Sequence, residues 1–152
     1  MRTQACRALL RNGSLMPLVA ATALVSSSPA QAAGSVASSV TGKWRLTAAL
    51  DAADIASLDE HEAQQLVGHV FVISKEKVKF DERDCGPTGF EAVAVVPELH
   101  LRKEFHANAQ KLRLPNPVTV VNLSCTSVFI KNRNKLVIAW KGWFFDAVRL
   151  TP

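Results

Sequence analysis

Lys135–Trp140 and Trp143–Leu150 are two apolar, β-prone runs separated only by Lys141-Gly142. A connection that short forces antiparallel pairing, and it needs positive φ in the turn, which Gly142 supplies without steric cost. The register follows: Trp140 lies opposite Trp143, Ile138 beside Phe145 and Leu136 beside Ala147. One face of the hairpin then carries Leu136, Ile138, Trp140, Trp143, Phe145 and, at its end, Arg149. That face is the expected interior. The other face carries Lys135 and Asp146 together with Val137, Phe144 and Val148, three apolar residues expected to lie under a helix.

The rest of the chain repeats the theme in shorter pieces. Trp44, Leu46 and Ala48 alternate with Lys43, Arg45 and Thr47, the period of a half-buried strand. Segments 69–75, 77–81, 90–96, 118–123 and 127–131 read the same way. Cys85-Gly86-Pro87-Thr88-Gly89 is a strong turn signal. Two helical interruptions are predicted. Asp51 is an N-cap candidate for a short turn through Ile55, and Ser57-Leu58-Asp59-Glu60 has the form of a capping box opening a helix that ends at Gly68. Pro97 suits a helix start, Leu101, Phe105, Ala109 and Leu112 recur at helical spacing, and Leu114-Pro115-Asn116-Pro117 stops the run. The expectation is a mainly β, α+β domain. About eight antiparallel strands close into a barrel, because closure removes exposed edges, and two short helices are inserted.

That domain does not include the start of the chain. Arg2, Arg7 and Arg11 precede an apolar run, 15–25, and then a small, polar stretch ending Ala30-Gln31-Ala32. This is the three-part layout of a secretory signal, and the run is short for a membrane span. The division is therefore a cleaved leader over 1–32, a flexible lead-in over 33–41 and one barrel domain over 42–152, with export to the periplasm. Three of the eighteen basic residues lie in the leader and none of the thirteen acidic ones, which leaves fifteen against thirteen, a net charge of +2. No basic stripe argues for nucleic acid. Cleavage also removes Cys6 and leaves Cys85 and Cys125, which in an oxidising compartment are expected to form one disulfide.

Gly42-Lys43-Trp44 on the first strand and Arg149 on the last resemble the lipocalin–avidin group of small barrels. The resemblance implies that Trp44 lies across the closed end with Arg149 packed over it, so that Gly42, Trp44 and Arg149 are structural. Two departures stand out: a helix follows the first strand, and a longer one sits in mid-chain. The chain also looks like uncharacterised periplasmic proteins of Gram-negative bacteria, a likeness that implies no activity.

Candidate chemistry is sparse. His61, His69, His100 and His106 show no metal-ligand spacing, and no metal or cofactor is expected. Asp81, Glu82 and Asp84 cluster around Arg83; adjacent carboxylates can raise one pKa, but a charged turn explains them equally. No catalytic residue is assigned. Trp140, Trp143, Phe145 and Ile138 are the candidate contacts for a small apolar ligand in a hollow barrel. Asp81, Glu82, Arg83, Asp84 and Lys141 are the candidate loop contacts if the barrel is solid and the chain binds another envelope protein, as an inhibitor or immunity protein does. The reading is of a non-enzymatic binding module of one of these two kinds. The leader has a direct check: N-terminal sequencing of the exported chain should begin at Ala33, and recovery of the intact 152-residue chain from the periplasm would overturn it.

Overall fold

In the computed structural model, residues 29–151 are described; most of the leader, 1–28, lies outside them. The first element is α1 (Pro29–Val40), followed by β1 (Gly42–Ala52) and α2 (Glu60–Gln65). Next come β2 (Val70–Ile73), β3 (Val78–Phe80), β4 (Arg83–Asp84) and β5 (Glu91–Val95). After α3 (Pro97–His100) and irregular helical turns, β6 (Val118–Asn122), β7 (Ser127–Asn132), β8 (Lys135–Trp140) and β9 (Trp143–Leu150) complete the chain. Among these residues no helix is long and apolar enough to cross a membrane.

The nine strands form one antiparallel sheet in the order β4-β3-β2-β1-β9-β8-β7-β6-β5. Strands consecutive in the chain pair as neighbours, with the one exception that β4 does not pair β5, and β1 pairs β9; α2 lies between β1 and β2 without disturbing their ladder. The sheet is thus a curled half-barrel with one seam, rather than the closed eight-stranded barrel expected. The ninth strand is β4, which the sequence reading took for a charged turn. The seam has a local cause. β4 is two residues long, and the Gly86-Pro87 that follows cannot extend it, since proline lacks the N–H a ladder needs.

Covalent chemistry spans the seam instead. Residues 85–90 lead directly from β4 to β5, and Cys85 is bonded to Cys125 in the β6–β7 turn, with a Cα–Cα distance of 5.9 Å. The expected disulfide is therefore present, and it ties one edge of the sheet to a turn near the other. Ser124 reinforces it: its hydroxyl donates to Pro87 O at 3.0 Å and accepts from Gly89 N at 3.1 Å.

Alternation sorts the side chains onto two cores, as the hairpin predicted. Trp140 pairs Trp143, Ile138 pairs Phe145 and Leu136 pairs Ala147. Leu136, Ile138, Trp140, Phe145 and Ala147 face the concave interior with Trp44, Leu46, Phe71, Phe80, Val121 and Val128. On the convex side Val137, Phe144, Val120 and Phe129 are buried under Leu101, Phe105 and Leu112. Val137 and Phe144 thus lie under helical turns as expected, whereas Val148 stays partly exposed and outside that core.

Both predicted helices differ in detail. The capping box belongs to Asp59 and Glu62: the Asp59 carboxylate accepts from Glu62 N at 2.8 Å and Glu62 accepts from Asp59 N at 2.9 Å. Ser57 is not the cap because its own N–H is held by Lys141 O at 2.9 Å. Asp51 lies in β1, so no helix starts there. In mid-chain, α3 widens into a π-type turn over Leu101–Phe105, ends where His106 adopts φ 50°, and resumes only as a 3₁₀ turn at Gln110–Leu112. The apolar spacing was right and the continuity was not.

Most of the expected lead-in, 33–41, is helical. Residues 33–40 belong to α1, whose Ala37 and Val40 are buried. Trp44 Nε1 donates to Val40 O at 2.7 Å, and the Arg149 guanidinium donates to Thr41 O at 2.6 Å and to Ser39 O. Those carbonyls are the unpaired end of a helix, where a cation is favourable. The same guanidinium lies over the Trp44 ring, 4.2 Å from its centroid. Burial lowers its pKa from the ordinary arginine value. Gly42 is required beside it: a Cβ there would come within 2.7 Å of the guanidinium, at a φ of +141°.

Two stability predictions follow from these contacts. Replacing both Cys85 and Cys125 by Ser removes a cross-link between residues separated by 40 positions, worth about 4 kcal/mol by loop entropy. Thermal unfolding should fall by roughly 15 °C, and an unchanged midpoint would contradict the seam's dependence on it. Arg149→Lys cannot serve two carbonyls and an indole face together, and should cost about 1–3 kcal/mol in chemical denaturation.

Candidate functional site

With the concave interior occupied by side chains, two of the open cavities lie at the end of the half-barrel that carries the Lys141-Gly142 turn. Trp140 is the outermost interior ring. It meets Phe71 and Phe80 edge-on, at 5.4 and 5.3 Å between centroids, while those two stack at 4.8 Å. It retains 7% exposure, and what remains exposed borders two cavities.

The larger cavity, about 750 Å³, is an open groove with Phe80 and Trp140 among its lining residues. Leu58, Glu62 and Leu66 line the α2 side, and Asp81, Glu82 and Arg83 the β3–β4 side, with Lys141 at the hairpin tip. The structure therefore places Trp140, from the aromatic ribbon, beside Asp81, Glu82, Arg83 and Lys141, the charged residues expected to serve the other reading. The smaller cavity, about 560 Å³, lies beyond Trp140 and Lys141 and is bordered by Cys125, Ser124, Asn122 and Glu91.

Not every candidate is in place. Ile138 and Phe145 are wholly buried in the interior and reach neither cavity. Trp143 is partly buried, and its Nε1 donates to Leu58 O at 2.8 Å, which anchors the loop before α2. Asp84 turns away from the groove. Its carboxylate accepts from Gly86 N at 3.0 Å and lies 3.1 Å from Lys77 Nζ, and these bonds, the Gly86 one first, hold its pKa below the usual carboxylate value. Gly42, Trp44 and Arg149 lie together, outside both cavities.

His69 is the groove residue that sequence reasoning missed. Its Nδ1 is 2.9 Å from Asp81 Oδ1, a partner twelve residues away across the β2–β3 pair, so no local motif marks it. Asp81 adopts φ 51°, a left-handed conformation that short polar side chains tolerate. No serine, threonine or cysteine lines this groove. Asp81 and Asp84 are engaged by different partners and do not form a carboxylate pair. Among the described residues no three His, Cys, Asp or Glu side chains come together as a metal site.

The hairpin tip is held rigidly. Gly142 O accepts from Ala53 N at 2.8 Å, and Lys141 O accepts from Ser57 N. A Cβ at Gly142 would meet Ala56 Cα at 2.5 Å and Ile55 O at 2.7 Å, whereas the exposed Lys141 side chain has no ion-pair partner among the described residues.

Comparison with protein-family models, with curated proteins and with solved structures finds no match for this chain.

These contacts separate two neighbouring positions. Gly142→Ala must displace backbone and adopt positive φ, so it should destabilise by about 2 kcal/mol or more. Lys141→Gly should leave stability within about 0.5 kcal/mol. Denaturant titration of both variants checks this, and equal effects would contradict the packing at the tip.

Proposed function

We propose that this chain is an exported, periplasmic, non-enzymatic binding module that engages another envelope protein through the hairpin end of a solid, lipocalin-like half-barrel. The observation that carries the reading is the filled interior: Trp44, Leu46, Phe71, Ile138 and Phe145 are all buried against one another. A ligand taken inside would have to displace them, at a cost of several kcal/mol for each large side chain moved. Recognition is therefore left to the rim. There a rigid scaffold holds exposed loops carrying Arg83, Glu82 and Lys141 beside an aromatic floor, the arrangement that protein interfaces favour for anchor pockets. The leader motif supports export, and the stacking of Arg149 on Trp44 supports the lipocalin-like reading.

A second reading, a small apolar ligand, keeps one observation in its favour: Trp140 borders both cavities. On that reading the ligand lies in the open groove against Trp140 and Phe80, and Ile138 and Phe145 do not touch it.

A photo-cross-linking amino acid placed at position 141 in the living bacterium separates the two. A discrete protein adduct from position 141, and none from position 135 at the opposite end of β8, is the expected result. No adduct, combined with saturable quenching of tryptophan fluorescence by apolar probes, would overturn the protein-partner reading in favour of the small ligand.

A further inference from the structure

The two edges of the sheet are finished in different ways. β4 has two residues, both charged, and runs into Gly86-Pro87. Short charged edges resist pairing with other chains. β5 has five residues, and Glu91, Ala92, Val93 and Ala94 are all exposed, so solvent reaches both of its faces. Its backbone bonds to β6 on one side. On the other side it makes no backbone hydrogen bond to any described residue; α1 passes near but does not bond to it. No lysine or proline within the strand protects that edge.

Apolar side chains gather at the same place. Of the four large apolar residues exposed among those described, three lie here: Val93 at 48%, Val96 at 44% and Leu99 at 63%. Isolated exposed apolar residues are ordinary, but a group beside an open strand edge marks an interaction site. From Glu91 to Leu99 there are two acidic residues, Glu91 and Glu98, and no basic one. Neither acid forms an ion pair within the described residues.

We propose that β5 is a docking edge for an extended segment of a partner protein, apolar at alternate positions and basic at its ends, which adds to the sheet as a tenth strand. Main-chain hydrogen bonds to β5 supply affinity, alternate apolar side chains cover Val93 and its neighbours, and the basic ends meet Glu91 and Glu98. A second copy of this chain is the poorer occupant, because a symmetric β5–β5 pair gathers four unpaired carboxylates at one interface. The inference shares with the proposed function only the premise of a protein partner. It concerns a different surface, and variants at Lys141 distinguish the two.

The test uses the mature, oxidised protein and a fluorescent, end-blocked heptapeptide alternating valine and threonine between terminal lysines. Fluorescence anisotropy should show saturable binding, and hydrogen exchange should slow at the amides of 91–95. Val93→Lys, at an exposed position, should keep the melting temperature and weaken binding at least tenfold. A peptide with terminal glutamates in place of the lysines should bind at least tenfold more weakly, and Lys141→Gly should bind the probe as the parent does. Absence of saturable binding, protection confined to other strands, or unchanged affinity in Val93→Lys would overturn the proposal. So would protection of β5 that grows with protein concentration without peptide, which would identify a second copy as the occupant.

Discussion

The Cys85–Cys125 bond does for this sheet what a ladder of hydrogen bonds does for a closed barrel. Nine strands curl far enough to enclose a core, and β1 on β9 joins the two ends of the chain, but β4 and β5 do not meet. Across that gap run six residues, one disulfide and the two hydrogen bonds of Ser124. A covalent link thus stands at the one unpaired seam of the sheet. The residues it holds down, Cys85 and Phe90, pack on the interior core, so loss of the link exposes apolar surface as well as freeing a loop.

At the other end of the half-barrel the chain relies on a single arginine. Arg149 closes the end of α1, covers Trp44 and leaves no room for a side chain at Gly42. With the interior packed, the hairpin end and the β5 edge are two accessible features of the surface. Both are surface features, and this supports the proposal that the molecule binds other chains rather than enclosing a ligand.

Much of this was legible in the sequence where one physical rule acted without a competitor. The β8–β9 register followed from the two-residue turn and strict alternation, and the structure reproduces it pair for pair. The disulfide was expected from the cysteine count together with an expected oxidising compartment, and the structure contains it. Legibility failed where two local rules competed or where the partner lay far along the chain. Ser57–Glu60 and Asp59–Glu62 both satisfy the capping-box pattern, and the choice is made by Lys141, more than eighty positions away. The helix predicted through Leu112 keeps its apolar face but breaks at His106, whose carbonyl is claimed by Asp54 N. Residues 33–41, small and polar, carry no helical periodicity that marks α1; Val36 and Val40 pack on the core and Arg149 bonds across the chain to Thr41 O. The groove is the extreme case, since it exists only after α2, the β3–β4 turn and the β8–β9 tip converge.

The central claim is that a cross-linked seam, rather than a continuous ladder, keeps the half-barrel closed over a solid core. Residue-resolved hydrogen exchange, measured on the oxidised protein and again after mild reduction, tests it most directly. The account predicts that reduction accelerates exchange at least tenfold across β3, β4 and residues 85–90, beginning with the Cys85 amide that donates to Val78 O, while the β8–β9 amides keep their protection. Exchange at the seam that is indifferent to reduction would contradict it.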